Sequence, residues 1–293
     1  MFPATRFAAA LALSCATLLS PVASARAAAG SPVIDDAALE QSFTDGLAEP
    51  GADGLGGAAA AKALESAEGK TVELGREAKT AASAHYDQAR RAVVVIGSIE
   101  HCKDCGEFHM GAVSSGWIID PRGFIVTNHH VLADKEAGEL GVMTFDGKVY
   151  PLRRVLASDR EGDAAILEID PGESVLSALP LASGAETGAR IRVIGHPDGR
   201  FYSLSEGIVS RLFTEETSEA GGRRTWLTVT ADYGSGSSGA PVLNAEGGVI
   251  GMVSSTAALL ADAEEGKEQG ASDVQMVFRD CVSVETMRAL LQP

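Results

Sequence analysis

From Ala92 onward the chain is written in short runs of β-branched residues. AVVVIGSI, GAVSSGWIID, GFIVTN, KVYPLRRVL, AAILEID, ARIRVIGHP, SLSEGIVSRL, TWLTVTAD, GGVIGMVSS and VQMVF follow one another, separated by Gly, Pro, Asp and Asn. Val, Ile, Thr and Trp fit a pleated, half-buried surface, and the breaks between runs carry turn chemistry. Runs of this length and spacing predict an all-β sandwich or barrel. The C-terminal VSVETMRALLQ differs. It places Val284, Met287, Leu290 and Leu291 at helical spacing, with Ser283 before them as an N-cap. The chain from about residue 91 to Pro293 thus reads as one β-rich unit closed by a terminal helix.

The residues before this unit have another texture. Residues 1–25 carry a positive Arg6, an apolar stretch Phe7 to Leu19 too short to span a bilayer, and small residues Ala23-Ser24-Ala25 at a cleavage position. They read as a secretory signal, which predicts an exported chain, periplasmic or secreted. Two alternatives stay open: an anchor helix that is retained, and a lipoprotein modified at Cys15, for which Ala12-Leu13-Ser14 is a poor match. Residues 26–90 are rich in Ala, Glu and Lys and poor in large apolar side chains. Ala and Glu favour helix, but there is little to bury. The expectation is a marginal helix behind the Gly-rich break 51–57, with a disordered leader before it. A pro-segment, a spacer and a docking arm all fit this extension.

Composition narrows the partners. The chain has 24 Lys and Arg against 40 Asp and Glu, a net charge of −16. No basic patch is left over for nucleic acid or an anionic membrane surface.

Three polar stretches are out of place in a plain barrel. GWIIDPRGFIVTNHHVLAD ends a hairpin in two consecutive histidines, SDREGDAAILEID sets Asp163 directly before an apolar strand, and YGSGSSGAPV places a Gly/Ser run between two strands. By composition that last run is a flexible linker. Inside one compact unit a linker has no purpose, so the run needs another explanation.

The order of these stretches resembles the chymotrypsin-like serine endopeptidases, most of all the bacterial HtrA/Deg proteases and the glutamyl-endopeptidase group. The matching residues are Thr127-Asn128-His129-His130-Val131, Asp163-Ala164-Ala165-Ile166-Leu167 and Gly236-Ser237-Ser238-Gly239-Ala240-Pro241. VIGHPDG before SEGIVS, and VIGMVSS after the serine loop, extend the likeness over about residues 91–293. The resemblance implies two six-stranded antiparallel β-barrels that divide near residues 180–190, with the site at their junction. It implies no metal and no organic cofactor, and a polypeptide as partner.

The chemistry asks for the same residues. Acyl transfer needs a hydroxyl nucleophile, a base beside it, a carboxylate that orients the base, and donors for the oxyanion. Ser238 is the candidate nucleophile, His130 the base and Asp163 the orienting acid. Gly236, Ser237 and Ser238 form the oxyanion loop, with the N–H groups of Gly236 and Ser238 as donors. The T-N-x-H-V frame selects His130 over His129, whose side chain points elsewhere. Asp159, in Ser158-Asp159-Arg160-Glu161, is expected to serve a turn. Met252, Val253, Ser254 and Ser255, on the strand after the nucleophile, are expected to line the substrate pocket. Ser237 stands where relatives carry Asn or Asp, and Ala240 where many carry Gly. No PDZ module follows Pro293, so regulation by one and trimerisation are not implied.

The cysteines leave alternatives open. Cys102 and Cys105 lie in HCKDCGEFH, flanked by His101 and His109, and Cys281 lies near the C-terminal helix. A Cys2His2 zinc site is one reading. Its ligands are crowded and no second pair follows, so a disulfide is expected instead: Cys102 with Cys105, or one of them with Cys281. The functional expectation is an exported serine endopeptidase. A protease-like scaffold that binds polypeptide without turnover, and an esterase with the same site, are the alternatives.

Overall fold

The structure is a computed structural model that describes residues 33–49, 54–75, 85–261 and 274–292. The signal and lipoprotein readings of residues 1–25 lie outside the described residues. Among those that are described, no helix is long and apolar enough to cross a membrane.

The β-branched runs become strands. β1 (Val93–His101), β2 (Phe108–Asp120), β3 (Phe124–Thr127), β4 (Glu139–Met143), β5 (Val149–Pro151), β6 (Arg154–Asp159) and β7 (Ala164–Glu168) form the first half. They make one antiparallel seven-stranded sheet in the order β5-β4-β1-β2-β3-β7-β6. The second half comprises β8 (Arg190–Gly195), β9 (Ser203–Glu216), β10 (Arg223–Val229), β11 (Pro241–Leu243), β12 (Val249–Leu260) and β13 (Val274–Ser283). These six close into a barrel in the order β10-β13-β12-β11-β8-β9. The all-β class, the paired sheets and the division between residues 168 and 190 agree with the sequence reading. The first sheet has one strand more than expected, and its end strands β5 and β6 are not paired with each other.

β1 shows why the runs are continuously apolar. Val94 and Ile96 face Ile118, Ile125, Leu140 and Leu167 inside the first sheet, while Val93 and Val95 join Trp117, Val126 and Ile166 in a second core. A strand buried on both faces has no polar side to alternate with. The second core also takes in Ile194, Met252, Val282, Val284 and Met287, so it joins the two halves.

The N-terminal extension corrects an expectation. Residues 36–48, read as part of a disordered leader, form helix α1 (Asp36–Ala48), and Gly57–Ala67 form α2. Asp35 caps α1 by accepting from Ala38 N at 3.1 Å. Leu39, Phe43 and Leu47 fall four residues apart on one face, and Phe43 and Leu47 are buried in the core that joins the halves. On α2 the inward residues are Ala60, Leu64 and Ala67. Small side chains let this helix come close: a Cβ on Gly57 would stand 2.3 Å from Asp134 O. Between the helices, Leu55 donates to Leu152 O at 2.8 Å and accepts from Leu140 N at 3.0 Å. Backbone groups at the end of the first sheet are thereby satisfied. The sequence hid this docking because three large apolar residues and a row of alanines are enough to make it.

The C-terminal helix, α3 (Val284–Ala289), is shorter than its apolar spacing suggested. Ser283 occupies the N-cap position, but its side chain makes no capping bond. Beyond the helix, Leu291 pairs with Val72 of the extension, with Val72 N on Leu290 O and Gln292 N on Val72 O, both at 2.9 Å.

Candidate active site

His130 and Asp163 come from neighbouring strands. β3 ends at Thr127 and runs into a single 3-10 turn, His130–Leu132; β7 begins at Ala164 and pairs with β3 through Thr127 and Ala165. Asp163 therefore sits at the end of one strand beside the start of the other's turn. Its backbone is held at φ +49, a conformation costly outside Gly, Asn and Asp. Asn128 Nδ2 secures it by donating to Asp163 O at 2.9 Å.

The two side chains meet directly. His130 Nδ1 lies 2.9 Å from both carboxylate oxygens of Asp163, and His130 N donates to Oδ1 at 3.1 Å. A carboxylate only accepts, so Nδ1 carries the proton and Nε2 is left as the basic nitrogen. Ser254 Oγ donates to Asp163 Oδ2 at 2.6 Å. The acid is thus held by three donors besides its own backbone contacts.

Ser238 lies on a loop tied to the same strands. Gly239 N bonds Val253 O at 3.0 Å, one residue before Ser254. Ser115, on β2, organises the rest. Its N–H donates to Ser238 O at 2.8 Å, its Oγ donates to Gly236 O at 2.9 Å, and its O accepts from Thr127 Oγ1 at 2.8 Å. Ser115 Oγ also accepts from His196 N at 3.2 Å. This residue couples the serine loop to the strand that leads to His130. Sequence reasoning missed it; the only signal was a pair of serines, Ser114-Ser115, inside an apolar strand.

The glycines have steric reasons. Gly236 stands at φ +90 and Gly239 at φ +87. A Cβ on Gly239 would lie 2.0 Å from Ser115 O, and one on Gly236 2.4 Å from His196 O. Ala240 is tolerated because it meets Gly195, whose own hypothetical Cβ would touch the Ala240 methyl at 3.0 Å. Within the loop, Ser237 N bonds Gly234 O and Ala240 N bonds Ser237 O. Among the described residues nothing accepts from the N–H groups of Gly236 and Ser238. Ser237 is buried, with its hydroxyl unpaired among the described residues.

Other expected residues fall differently. Met252 and Val253 are fully buried in the two cores and line no open surface. Ser254 is directed to Asp163, and Ser255 is exposed. A bulge between Val253 and Ser255 breaks the strand's alternation at Ser254. His129 is partly buried, and that burial pushes its pKa down. Asp159 accepts from Gly162 N at 2.8 Å and pairs with Arg224. The turn that carries Asp163 is also held from the extension: Glu68 accepts from Ser158 Oγ at 3.0 Å and Arg160 N at 3.1 Å. From the second barrel, Glu161 accepts from Ser218 N at 2.9 Å. A cavity of about 760 Å³ opens between Glu68, His129, Arg160 and Arg224, beside His130 rather than over it.

The expected disulfide is corrected. Cys102, Cys105 and Cys281 are all free thiols. Cys281 lies inside the second barrel, with Tyr233 Oη 3.7 Å from its sulfur, and burial pushes its thiol up to about 12. Cys102 and Cys105 belong to the turn between β1 and β2 in the other sheet, so no bridge to Cys281 forms.

Comparison with known proteins fits this architecture. The family model for a trypsin-like peptidase domain matches residues 114–252. Protease Do-like 1 of the Arabidopsis thaliana chloroplast is 33% identical over 142 residues, which cover 47% of this chain and 32% of that protein. The putative serine protease HhoA of Synechocystis sp. is 33% identical over 162 residues, 54% of this chain and 39% of that protein. The pro-apoptotic serine protease NMA111 of Coccidioides immitis is 29% identical over 209 residues, 64% of this chain and 19% of that protein. The matched part is well under half the length of each of these relatives. With the fold and the order of its motifs, these matches show a trypsin-like peptidase domain over residues 114–252, similar to serine proteases of the HtrA/Deg type.

Proposed function

We propose that the chain is an exported serine endopeptidase that hydrolyses polypeptide through an acyl-enzyme. The reading is carried by one arrangement: the bidentate contact between His130 Nδ1 and Asp163, beside a serine loop with two N–H groups unengaged among the described residues. His130 Nε2 takes the proton of Ser238 Oγ as that oxygen attacks the scissile carbonyl. The developing oxyanion is met by the N–H groups of Gly236 and Ser238, each donor worth roughly 3 kcal/mol in the transition state. Asp163 stabilises the imidazolium that forms. His130 then protonates the leaving amine, and water repeats the sequence to release the acid. The His130–Ser238 contact closes when substrate enters, since such bonds are often long before binding. No metal or organic cofactor takes part in these steps. The acidic surface favours polypeptide over nucleic acid or anionic lipid as partner, and residues 1–25 support export.

Ser238→Ala tests this. Peptide hydrolysis should fall by several orders of magnitude with the fold intact. A fluorophosphonate should label the native chain at Ser238 only. Undiminished hydrolysis in the variant would overturn the reading. Absence of labelling would favour a scaffold that binds polypeptide without turnover. Turnover of simple esters without casein cleavage would favour an esterase. N-terminal sequencing of the mature protein tests export.

A further inference from the structure

The tip of the β1–β2 hairpin carries a ligand set that the proposed proteolysis does not use. Register places His101 opposite Phe108 and Glu100 opposite His109. The intervening turn is closed by Cys102 N on Glu107 O at 2.8 Å and by Gly106 N on Cys102 O at 3.0 Å. Gly106 stands at φ +77, so the chain after Cys105 folds back towards Cys102. The result is that Cys102 Sγ, Cys105 Sγ and a ring nitrogen of His109 all lie within 4.8 Å of one another. Cys105 Sγ is 3.0 Å from His109 Nε2.

We propose that Cys102, Cys105 and His109 bind a zinc-like divalent cation. Two thiolates and an imidazole are the donors that zinc prefers, with bonds of about 2.3 Å to sulfur and about 2.0 Å to nitrogen. In a tetrahedron those lengths set the donor atoms about 3.6–3.8 Å apart. All three atoms lie within 4.8 Å of one another, and the 3.0 Å between Cys105 Sγ and His109 Nε2 has to widen towards that spacing. Among the described residues no fourth Cys, His, Asp or Glu atom joins the cluster. The fourth position therefore takes a water molecule or an exogenous donor. On binding, Cys102 and Cys105 each release a thiol proton to solvent, and His109 coordinates through the Nε2 lone pair. No electron is transferred. The ion would tie the hairpin tip together, in place of the disulfide that the sequence suggested.

The test uses the full chain purified under reducing conditions without chelator, followed by metal analysis and Co2+ titration. About one zinc per chain is expected. Co2+ should give the ligand-field bands of a tetrahedral site and a thiolate-to-metal charge-transfer band. Cys102→Ser and Cys105→Ser should each lower zinc affinity by at least about a hundredfold, beyond the roughly 10–100-fold cost of losing an outer partner. His109→Ala should weaken zinc and shift the cobalt bands while the charge-transfer band persists. Circular dichroism of each variant checks that the fold is unchanged. The proposal fails if the reduced wild-type chain takes up neither zinc nor cobalt. It fails equally if the Cys102→Ser/Cys105→Ser double variant keeps its zinc.

Discussion

Glu68 holds Ser158 across 90 residues of sequence, its carboxylate accepting from the serine hydroxyl at 3.0 Å. The same carboxylate takes the N–H of Arg160, and Gly69 N bonds Ser158 O at 3.0 Å. The N-terminal extension thus grips the turn that ends at Asp163. Hydrogen bonds to a charged group contribute about 1.5–3 kcal/mol when partly buried. Glu68→Ala should lower kcat about tenfold and leave KM nearly unchanged, because the turn then samples positions in which Asp163 is misplaced. Steady-state kinetics with a peptide substrate reads this out. Unaltered kcat would mean that the extension only rests on the domain.

Ser254 offers a narrower probe of the same acid. Its hydroxyl is one of the donors on Asp163 Oδ2. Ser254→Ala should reduce kcat about tenfold, whereas Asp163→Asn, which reverses the His130 tautomer, should reduce it about 10⁴-fold. Comparable losses in the two variants would contradict the ranking.

Phe43 tests whether the extension belongs to the fold. It is fully buried in the core that joins the halves. Phe43→Ala should destabilise the chain by about 3–5 kcal/mol, as for other large-to-small core changes. Urea unfolding would measure it. A midpoint equal to the wild type is the outcome that a mere spacer predicts.

His196 sets a pH dependence. It is completely buried, and burial lowers its pKa from 6.5 to about 4. Around it lie the Phe201 and Tyr202 rings, the Val94 backbone, and Tyr202 N, which donates to Nδ1 at 3.0 Å. None of these neighbours is formally charged near neutral pH. Between the two pKa values the unfolded chain binds a proton that the folded chain does not, so stability rises with pH across that window. The loss begins below 6.5 as pH falls and levels off below about 4, at about 3 kcal/mol in total. Thermal unfolding from pH 4 to 7 should show this slope, and His196→Asn should flatten it. An equal slope in the variant would assign the effect to other groups.

Much of the protein was legible in the sequence. The β-branched runs fixed the strands from β1 onward, because a strand's period and propensity are local properties. The three polar stretches pointed to His130, Asp163 and Ser238, since their spacing to neighbouring strands is set by short turns. Other features depend on contacts between distant segments, which local pattern does not encode. Ser115 is an ordinary strand serine until four separate partners converge on it. Met252 reads like a pocket residue until the fold buries it in the core that joins the halves. The extension looks like a spacer until α1 buries Phe43 and Leu47 against the first sheet, in the core that joins the halves. Cys102 and Cys105 suggest a disulfide until the hairpin turn sets His109 beside them. Sequence determined where most strands from β1 onward form and which residues are the candidates for the chemistry. Tertiary structure decided what holds those residues in place, because burial and hydrogen bonding across 40 to 120 positions exist only once the chain has packed.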